Sequence, residues 1–168
     1  MIKAIGIICL FVGFCGISFE KIREEKEKIN VFKEMRNFAE YLVKEIEYSH
    51  IPIPDICKEY RSRSEDDFGV FLEQVCFKYE NHSGKSFEQI WAMETENYKG
   101  HKEEKVSLKN LGKCFGFSNI GHQLASINRY LYEMENKLLQ NEKKFQDNKK
   151  LILYFGVMSG LLLSIILL

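Results

Sequence analysis

The sequence contains few residues that interrupt regular structure and no excess of charge of either sign. Its 168 residues include two prolines and eleven glycines, and 24 basic residues balance 24 acidic ones. Because 45% of the residues are apolar, the composition excludes a disordered or a collagen-like chain. The chain also lacks the clustered positive charge that drives nucleic-acid binding, so we expect no nucleic-acid partner.

Charged residues are missing altogether from the two ends of the sequence. No Asp, Glu, Lys or Arg occurs in residues 4–19 or 151–168, and 20–150 carries every charged residue except Lys3. A helix as long as the second run spans about 27 Å, close to the hydrocarbon thickness of a bilayer. The two runs predict transmembrane helices over 1–19 and 151–168; cleavage of the first as a signal peptide is the alternative.

Basic residues flank the predicted spans on one side. Within fifteen residues of the two runs, 20–150 presents ten Lys and Arg residues, whereas Lys3 alone lies on the other side. The positive-inside rule therefore predicts that 20–150 is the cytoplasmic domain of a two-span protein of the cell membrane, in contact with the lipid bilayer. Cys57, Cys76 and Cys114 would then lie in a reducing compartment, where we expect buried free thiols and not disulfides.

Apolar residues in 20–150 recur with the period of an α-helix, and no stretch shows the sustained alternation of a strand. We therefore predict an all-α, antiparallel bundle of about six helices, held between the two spans. Ser86 with Gln89 forms a capping box, and Gly116 suits a left-handed C-terminal cap. The predicted helices comprise 20–49, a short segment from Pro54, 66–80, a segment from Ser86, 103–115, and a segment from Ser118 that continues into the second span.

The longest apolar stripe belongs to the last predicted helix. Because the first and last helices would leave the membrane on the same side, they must run antiparallel, and we predict that the stripe packs against the first helix. Its members are spaced by four and three residues in turn: Ile120, Leu124, Ile127, Leu131, Met134 and Leu138.

Three patterns invite a catalytic or metal-binding interpretation, and the sequence supports none of them. Residues 84–86 (GKS) end like a phosphate-binding loop, but Tyr79 stands where that motif has its first glycine. Cys114 with His101 or His122 would need an orienting third group, and no CxxC or HxxxH pair provides zinc ligands. We expect no enzyme activity, no catalytic residue, no metal site and no cofactor.

Short motifs follow one another along the whole chain. An acid–apolar–x–Tyr…Pro–x–Pro segment precedes a lone tryptophan, a Leu-Gly…Gly-x-Ser…Gln turn and a terminal Gly-x-x-x-Gly-Leu-Leu run. In this order they resemble the stage III sporulation protein AB family of endospore-forming bacteria, although Asn119 replaces an expected Asp and Ile51 a small hydroxyl residue. The resemblance is carried by Glu45, Tyr48, Pro52, Pro54, Trp91, Gly112, Gly116, Ser118 and Gln123, with Gly156 and Gly160 in the terminal run.

The resemblance implies a domain similar to the cytoplasmic helical domains of type II secretion F platform proteins. It implies a place in the mother-cell membrane facing the forespore, beside the other stage III A channel proteins and the forespore Q protein. The implied partner is a secretion-type ATPase, stage III sporulation protein AA. We therefore expect a non-catalytic inner-membrane platform that docks this ATPase and couples it to the mother cell–forespore channel.

Two other functions stay open: a helical adaptor or scaffold at the septum with no ATPase partner, and a membrane-bound thiol hydrolase that uses Cys114. If an ATPase docks, we expect it at the membrane-distal end, because two long helices carry that end far from the bilayer. Trp91 is either a core residue or an exposed partner anchor. The expected docking residues are Tyr48, His50, Lys85, Tyr98, Lys99 and His101.

Overall fold

The computed structural model of the chain describes residues 2–49, 51–62, 64, 67–81, 84–117 and 119–167. These residues form six α-helices, with a π-helical turn after the first and a 3₁₀ turn after the fifth, and they contain no strand. The all-α prediction is confirmed for this part of the chain. The elements are α1 (Ile2–Lys44), the π-helical turn (Glu45–Ser49), α2 (Ile53–Arg61), α3 (Asp67–Asn81), α4 (Phe87–Asn97), α5 (Lys102–Gly112), the 3₁₀ turn (Lys113–Phe115) and α6 (Ile120–Leu167).

The chain divides into two compact units. The terminal unit comprises Met1–Ile29 with Leu139–Leu168, and the central bundle comprises Asn30–Leu138. Among the described residues, none of the helices is both long enough and apolar enough to cross a membrane. The spans over 1–19 and 151–168 stay predictions.

Helix starts in the central bundle follow capping signals in the sequence. The Ser86 hydroxyl accepts a hydrogen bond from Gln89 N at 3.2 Å, and Gln89 Oε1 accepts one from Ser86 N at 3.1 Å, so the predicted capping box forms at α4. Pro54 lies in the first turn of α2 as predicted, because the N–H that proline lacks has no helical partner at that position.

The connection from α5 to α6 differs from the sequence prediction. Gly116 has φ −79° and ψ 0° and is not left-handed, because the chain tightens into the 3₁₀ turn Lys113–Phe115 before it. Ser118, the predicted cap of the last helix, lies outside the described residues. In the described residues Asn119 caps α6, since its Oδ1 accepts a hydrogen bond from His122 N at 3.1 Å.

Within the central bundle, α1 and α6 pack antiparallel, as predicted. Arg36 Nη1 lies 3.5 Å from Glu135 Oε2, and the Lys137 ammonium lies 4.2 Å from the centroid of the Phe32 ring. Residue numbers therefore rise along α6 as they fall along α1. Ile120, the first member of the predicted stripe, is 50% exposed and lies outside the core. The buried members of the stripe are Ile127, Met134 and Leu138.

Trp91 lies in an aromatic cluster at the centre of the bundle and is fully buried. Its ring is stacked on Phe38 at 6.2 Å and meets Phe71 and Phe115 edge-on, each at 4.9 Å between centroids. Its Nε1 donates a hydrogen bond to Leu108 O at 2.8 Å, which satisfies the one polar group of the ring. The core interpretation of Trp91 is confirmed, and the exposed-anchor interpretation is wrong.

Candidate functional site

One end of the central bundle carries an apolar groove. Five parts of the chain meet there: the π-helical turn, the loop before α2, the end of α3, the start of α4, and the segment that leads into α6. Its volume is about 330 Å³, near the lower end of the range for small-ligand pockets. The described residues that line it are Ile46, residues 51–54, Tyr79, Phe87, Phe115, Ile120 and Gln123.

Most of the side chains that line this groove are hydrocarbon, namely isoleucine, proline and phenylalanine. Gln123 is the one amide among the described lining residues, and its Nε2 donates a hydrogen bond to the Cys114 carbonyl oxygen at 3.4 Å. Two large apolar side chains close in sequence to lining residues are also exposed, Tyr48 by 80% and Phe117 by 46%. Contiguous exposed apolar surface of this kind marks interaction sites in soluble domains.

Several residues that carry the family resemblance gather at this groove, although they are far apart in the sequence. Pro52, Pro54 and Gln123 line it directly. Glu45 and Tyr48 belong to the π-helical turn that contributes a lining isoleucine. The fold therefore converts separate sequence motifs into one surface.

Trp91 and Gly112 hold the groove lining from the core side. The Trp91 ring contacts Phe87 and Phe115, both in the lining, at centroid distances of 6.1 and 4.9 Å. A Cβ at Gly112 would overlap the Trp91 ring. A larger residue at 112 would therefore displace the ring that supports two walls of the groove.

Carboxylates outnumber ammonium groups among the charged residues that directly precede or follow a lining residue in the sequence. Of the charged residues that adjoin a lining residue in the sequence, Lys78 forms an ion pair with Glu94, which is only 2% exposed, and Glu80 forms one with Lys58. The other four have no ion pair within the described part of the chain, and together we call them the acidic rim. The acidic rim is Glu45, Glu47, Asp55 and Glu88.

The residues predicted to dock a partner do not come together in one surface. Tyr48 and Lys85 are exposed at the groove end of the bundle, and His50 lies outside the described residues. Lys99 and His101 are exposed beyond the other end of α4, whose 11 residues span about 16 Å. Tyr98 is half-buried there, with its ring 5.7 Å from that of Phe71.

A lysine contact places the start of α5 far from the groove. Lys137 Nζ donates hydrogen bonds to Glu103 O at 3.3 Å and to Ser107 Oγ at 3.0 Å. Lys137 lies 17 residues after Ile120 in α6, a distance of about 26 Å along the helix. The Tyr98–Glu104 segment thus lies at the opposite end of the central bundle from the groove.

In the described residues no general base is hydrogen-bonded to the Cys114 thiol. Its sulfur donates to Asn110 O at 3.6 Å and accepts a hydrogen bond from the Ser126 hydroxyl at 3.2 Å. Burial raises the pKa of the Cys114 thiol, so little of the nucleophilic thiolate exists at neutral pH. The described residues also contain no group of three His, Cys, Asp or Glu side chains that could hold a metal ion.

Residues 84–86 have structural roles at the start of α4. Gly84 has φ 105°, a left-handed conformation that glycine tolerates, and it turns the chain into the helix. Lys85 Nζ lies 3.2 Å from Met93 Sδ, and Ser86 is the helix cap. These roles account for the sequence without a bound phosphate.

Comparison with known proteins supports the family resemblance that the sequence motifs indicate. The chain is 25% identical over 171 residues to stage III sporulation protein AB of Bacillus subtilis (strain 168), an alignment that covers 99% of each chain. No solved structure matches it. The family model described as stage III sporulation protein AB matches residues 3–168. The chain therefore belongs to the stage III sporulation protein AB family.

Proposed function

We propose that the chain is a non-catalytic membrane platform that docks a cytoplasmic ATPase similar to stage III sporulation protein AA. In this role it couples the ATPase to the channel between mother cell and forespore, together with the other stage III A proteins. The family match over residues 3–168 carries the proposal. The apolar groove supports it, because a platform needs a surface for its partner.

A two-span topology with the central bundle in the mother-cell cytoplasm belongs to the same proposal. It is supported by the uncharged runs 4–19 and 151–168 and by the basic residues that flank them on one side. Resistance of the full-length protein to extraction from sporulating-cell membranes by alkaline carbonate tests it. Release of the protein into the soluble fraction would contradict the two spans.

The docking role is tested by affinity purification of the full-length protein from detergent-solubilised membranes of sporulating cells. We expect the neighbouring ATPase to co-purify. As a control, a variant that lacks 30–138 but keeps both uncharged runs should not retain the ATPase. Recovery of the platform without ATPase under conditions that preserve its other partners would contradict the proposal.

A septal adaptor without an ATPase is the second candidate, because the groove would equally accept an apolar segment of another membrane protein. The same purification separates the two functions. Co-purification of other stage III A proteins with no ATPase would favour the adaptor.

A further inference from the structure

We infer that the groove binds a short apolar segment flanked by Lys or Arg residues, which the docking partner presents. The inference rests on the proposed function for the partner's identity as an ATPase. It adds the chemistry by which the platform would hold that partner and the place at which it would do so.

The size and composition of the groove define the apolar part of this ligand. A volume of about 330 Å³ accommodates a few side chains and not a folded domain, so the ligand is a segment that inserts anchor residues. Ile120 in the lining and Phe117 three residues before it are both half-exposed and offer apolar contact surface to the segment. Ile120 is the first residue of α6, and Phe117 lies on the connection that precedes it.

The acidic rim defines the charge of the ligand. Glu47 and Asp55 are exposed, Glu45 and Glu88 are half-buried, and the Glu88 carboxylate lies next to Gly116. Four carboxylates without ion pairs in the described residues attract Lys and Arg and repel acidic segments, which sets specificity and speeds association. The same charges disfavour an anionic lipid headgroup, and they disfavour a second copy, whose acidic rim would face this one.

The fluorescence of Trp91 can report whether a ligand binds in the groove. It is the only tryptophan in the chain, and its ring contacts Phe87 and Phe115 in the lining. A segment that enters the groove should shift these two rings and change the fluorescence of Trp91. A ligand that binds the opposite end of the bundle should leave it unchanged.

The test uses the full-length protein in lipid nanodiscs whose scaffold protein contains no tryptophan. Two synthetic tryptophan-free peptides serve as probes: an amphipathic Leu/Lys peptide and a Leu/Glu peptide of the same length and pattern. We expect a saturable change in Trp91 fluorescence with the Leu/Lys peptide, weakened by added salt, and none with the Leu/Glu peptide. Equal responses to both peptides, or to neither, would overturn the inference.

Two pairs of variants locate the binding. Ile120→Glu places a carboxylate in the apolar lining, where an inserted anchor side chain would have to remove it from water. Its position at the start of α6 favours folding because the helix dipole accepts an acidic residue there. We expect its affinity for the Leu/Lys peptide to fall about tenfold or more. Val106→Glu on α5, at a residue with the same 50% exposure, should bind like the parent protein.

The second pair tests the charge. Glu47→Lys should lower the affinity for the Leu/Lys peptide about threefold or more and reduce its salt dependence, because rim charges act on association. Glu133→Lys, an exposed acid 13 residues along α6 from Ile120, should change neither quantity. Loss of binding in both controls, or retention in both groove variants, would refute the site.

Purification of each variant from sporulating cells distinguishes failure of this inference from failure of the proposed function. If the parent protein retains the ATPase and Ile120→Glu and Glu47→Lys retain it equally, the groove inference is wrong and the platform role stands. If the parent binds the Leu/Lys peptide in the groove but never the ATPase, the groove stands and the ATPase role fails. Concentration-dependent dimers of the parent that Ile120→Glu abolishes would identify a second copy as the occupant and overturn the inference.

Discussion

The Trp91 indole ring occupies the space in which a Cβ of residue 112 would lie, so the glycine at that position and the tryptophan are complementary in shape. One turn earlier in α5, Leu108 O accepts a hydrogen bond from the same ring at 2.8 Å. The Trp91–Leu108 hydrogen bond joins α4 to α5, and the lack of a side chain at Gly112 leaves room for the ring between the two helices. Two motif residues 21 positions apart in the sequence meet in one contact.

We predict that Gly112→Ala destabilises the protein. Alanine favours a helix by about 1 kcal/mol over glycine, yet its Cβ must displace the Trp91 ring, and overpacking of this kind costs roughly 1–3 kcal/mol. Urea unfolding followed by circular dichroism measures the difference, with Val106→Ala on the exposed face of α5 as the control. A midpoint above that of the parent would show that the ring moves aside without cost.

Local signals made most of the helix pattern predictable. The capping box at Ser86 and the two prolines at the start of α2 act within a few residues, so their effect can be read directly from the sequence. The end of α5 was not predictable in this way. Gly116 resembles a left-handed cap in sequence, but the observed 3₁₀ turn depends on how the segment packs, with Glu88 of α4 against the glycine.

The groove itself could not be predicted, because its lining comes from five segments that only tertiary packing brings together. Ile120 carried one signal: it continues the stripe of α6 beyond the end of the core, where its burial is incomplete. The Lys137 contacts with Phe32 and Glu103 could not be predicted from the sequence either, since a lysine beside an apolar stripe is ordinarily a solvated residue.

Replacement by aspartate should affect stability very differently at two isoleucines of the same stripe. Ile127 is fully buried, so Ile127→Asp would bury an unpaired charge and should cost roughly 3 kcal/mol or more. Ile120→Asp lies at the exposed first position of α6 and should leave stability within about 0.5 kcal/mol of the parent. Thermal unfolding of both variants gives the comparison, and equal melting temperatures would show that Ile127 is not in the core.

Removal of the Tyr130 hydroxyl should stabilise the protein slightly. This oxygen is buried and has no hydrogen-bond partner among the described residues, so Tyr130→Phe should gain up to about 1 kcal/mol at neutral pH. Tyr132→Phe, two positions away and exposed, is the matched control and should have no effect. A loss of more than 1 kcal/mol in Tyr130→Phe would indicate a partner for the hydroxyl.

The same residue should make stability depend on alkaline pH. Burial, and secondarily the Cys114 thiol, raise the pKa of Tyr130 above its ordinary value of 10.0. Above about pH 10 the unfolded tyrosine loses its proton while the folded one keeps it, so the free energy of unfolding should fall as pH rises. Urea midpoints between pH 9 and 11 should fall less steeply in Tyr130→Phe than in the parent or in Tyr132→Phe. Identical slopes would mean that the hydroxyl ionises equally in both states.

Replacement of Cys114 by serine separates a platform from a thiol enzyme. Serine keeps a hydrogen-bonding group of similar shape beside Asn110 O and the Ser126 hydroxyl, so Cys114→Ser should fold. Because burial raises the pKa of this thiol and no base contacts it among the described residues, we expect its loss to leave the number of heat-resistant spores unchanged. Immunoblots establish equal protein levels, and Ile120→Glu, which alters the groove and leaves the thiol intact, serves as the opposite control with an expected fall in spore number. A sporulation defect in Cys114→Ser at normal protein level, with Ile120→Glu unaffected, would contradict the platform function and indicate a thiol-dependent activity.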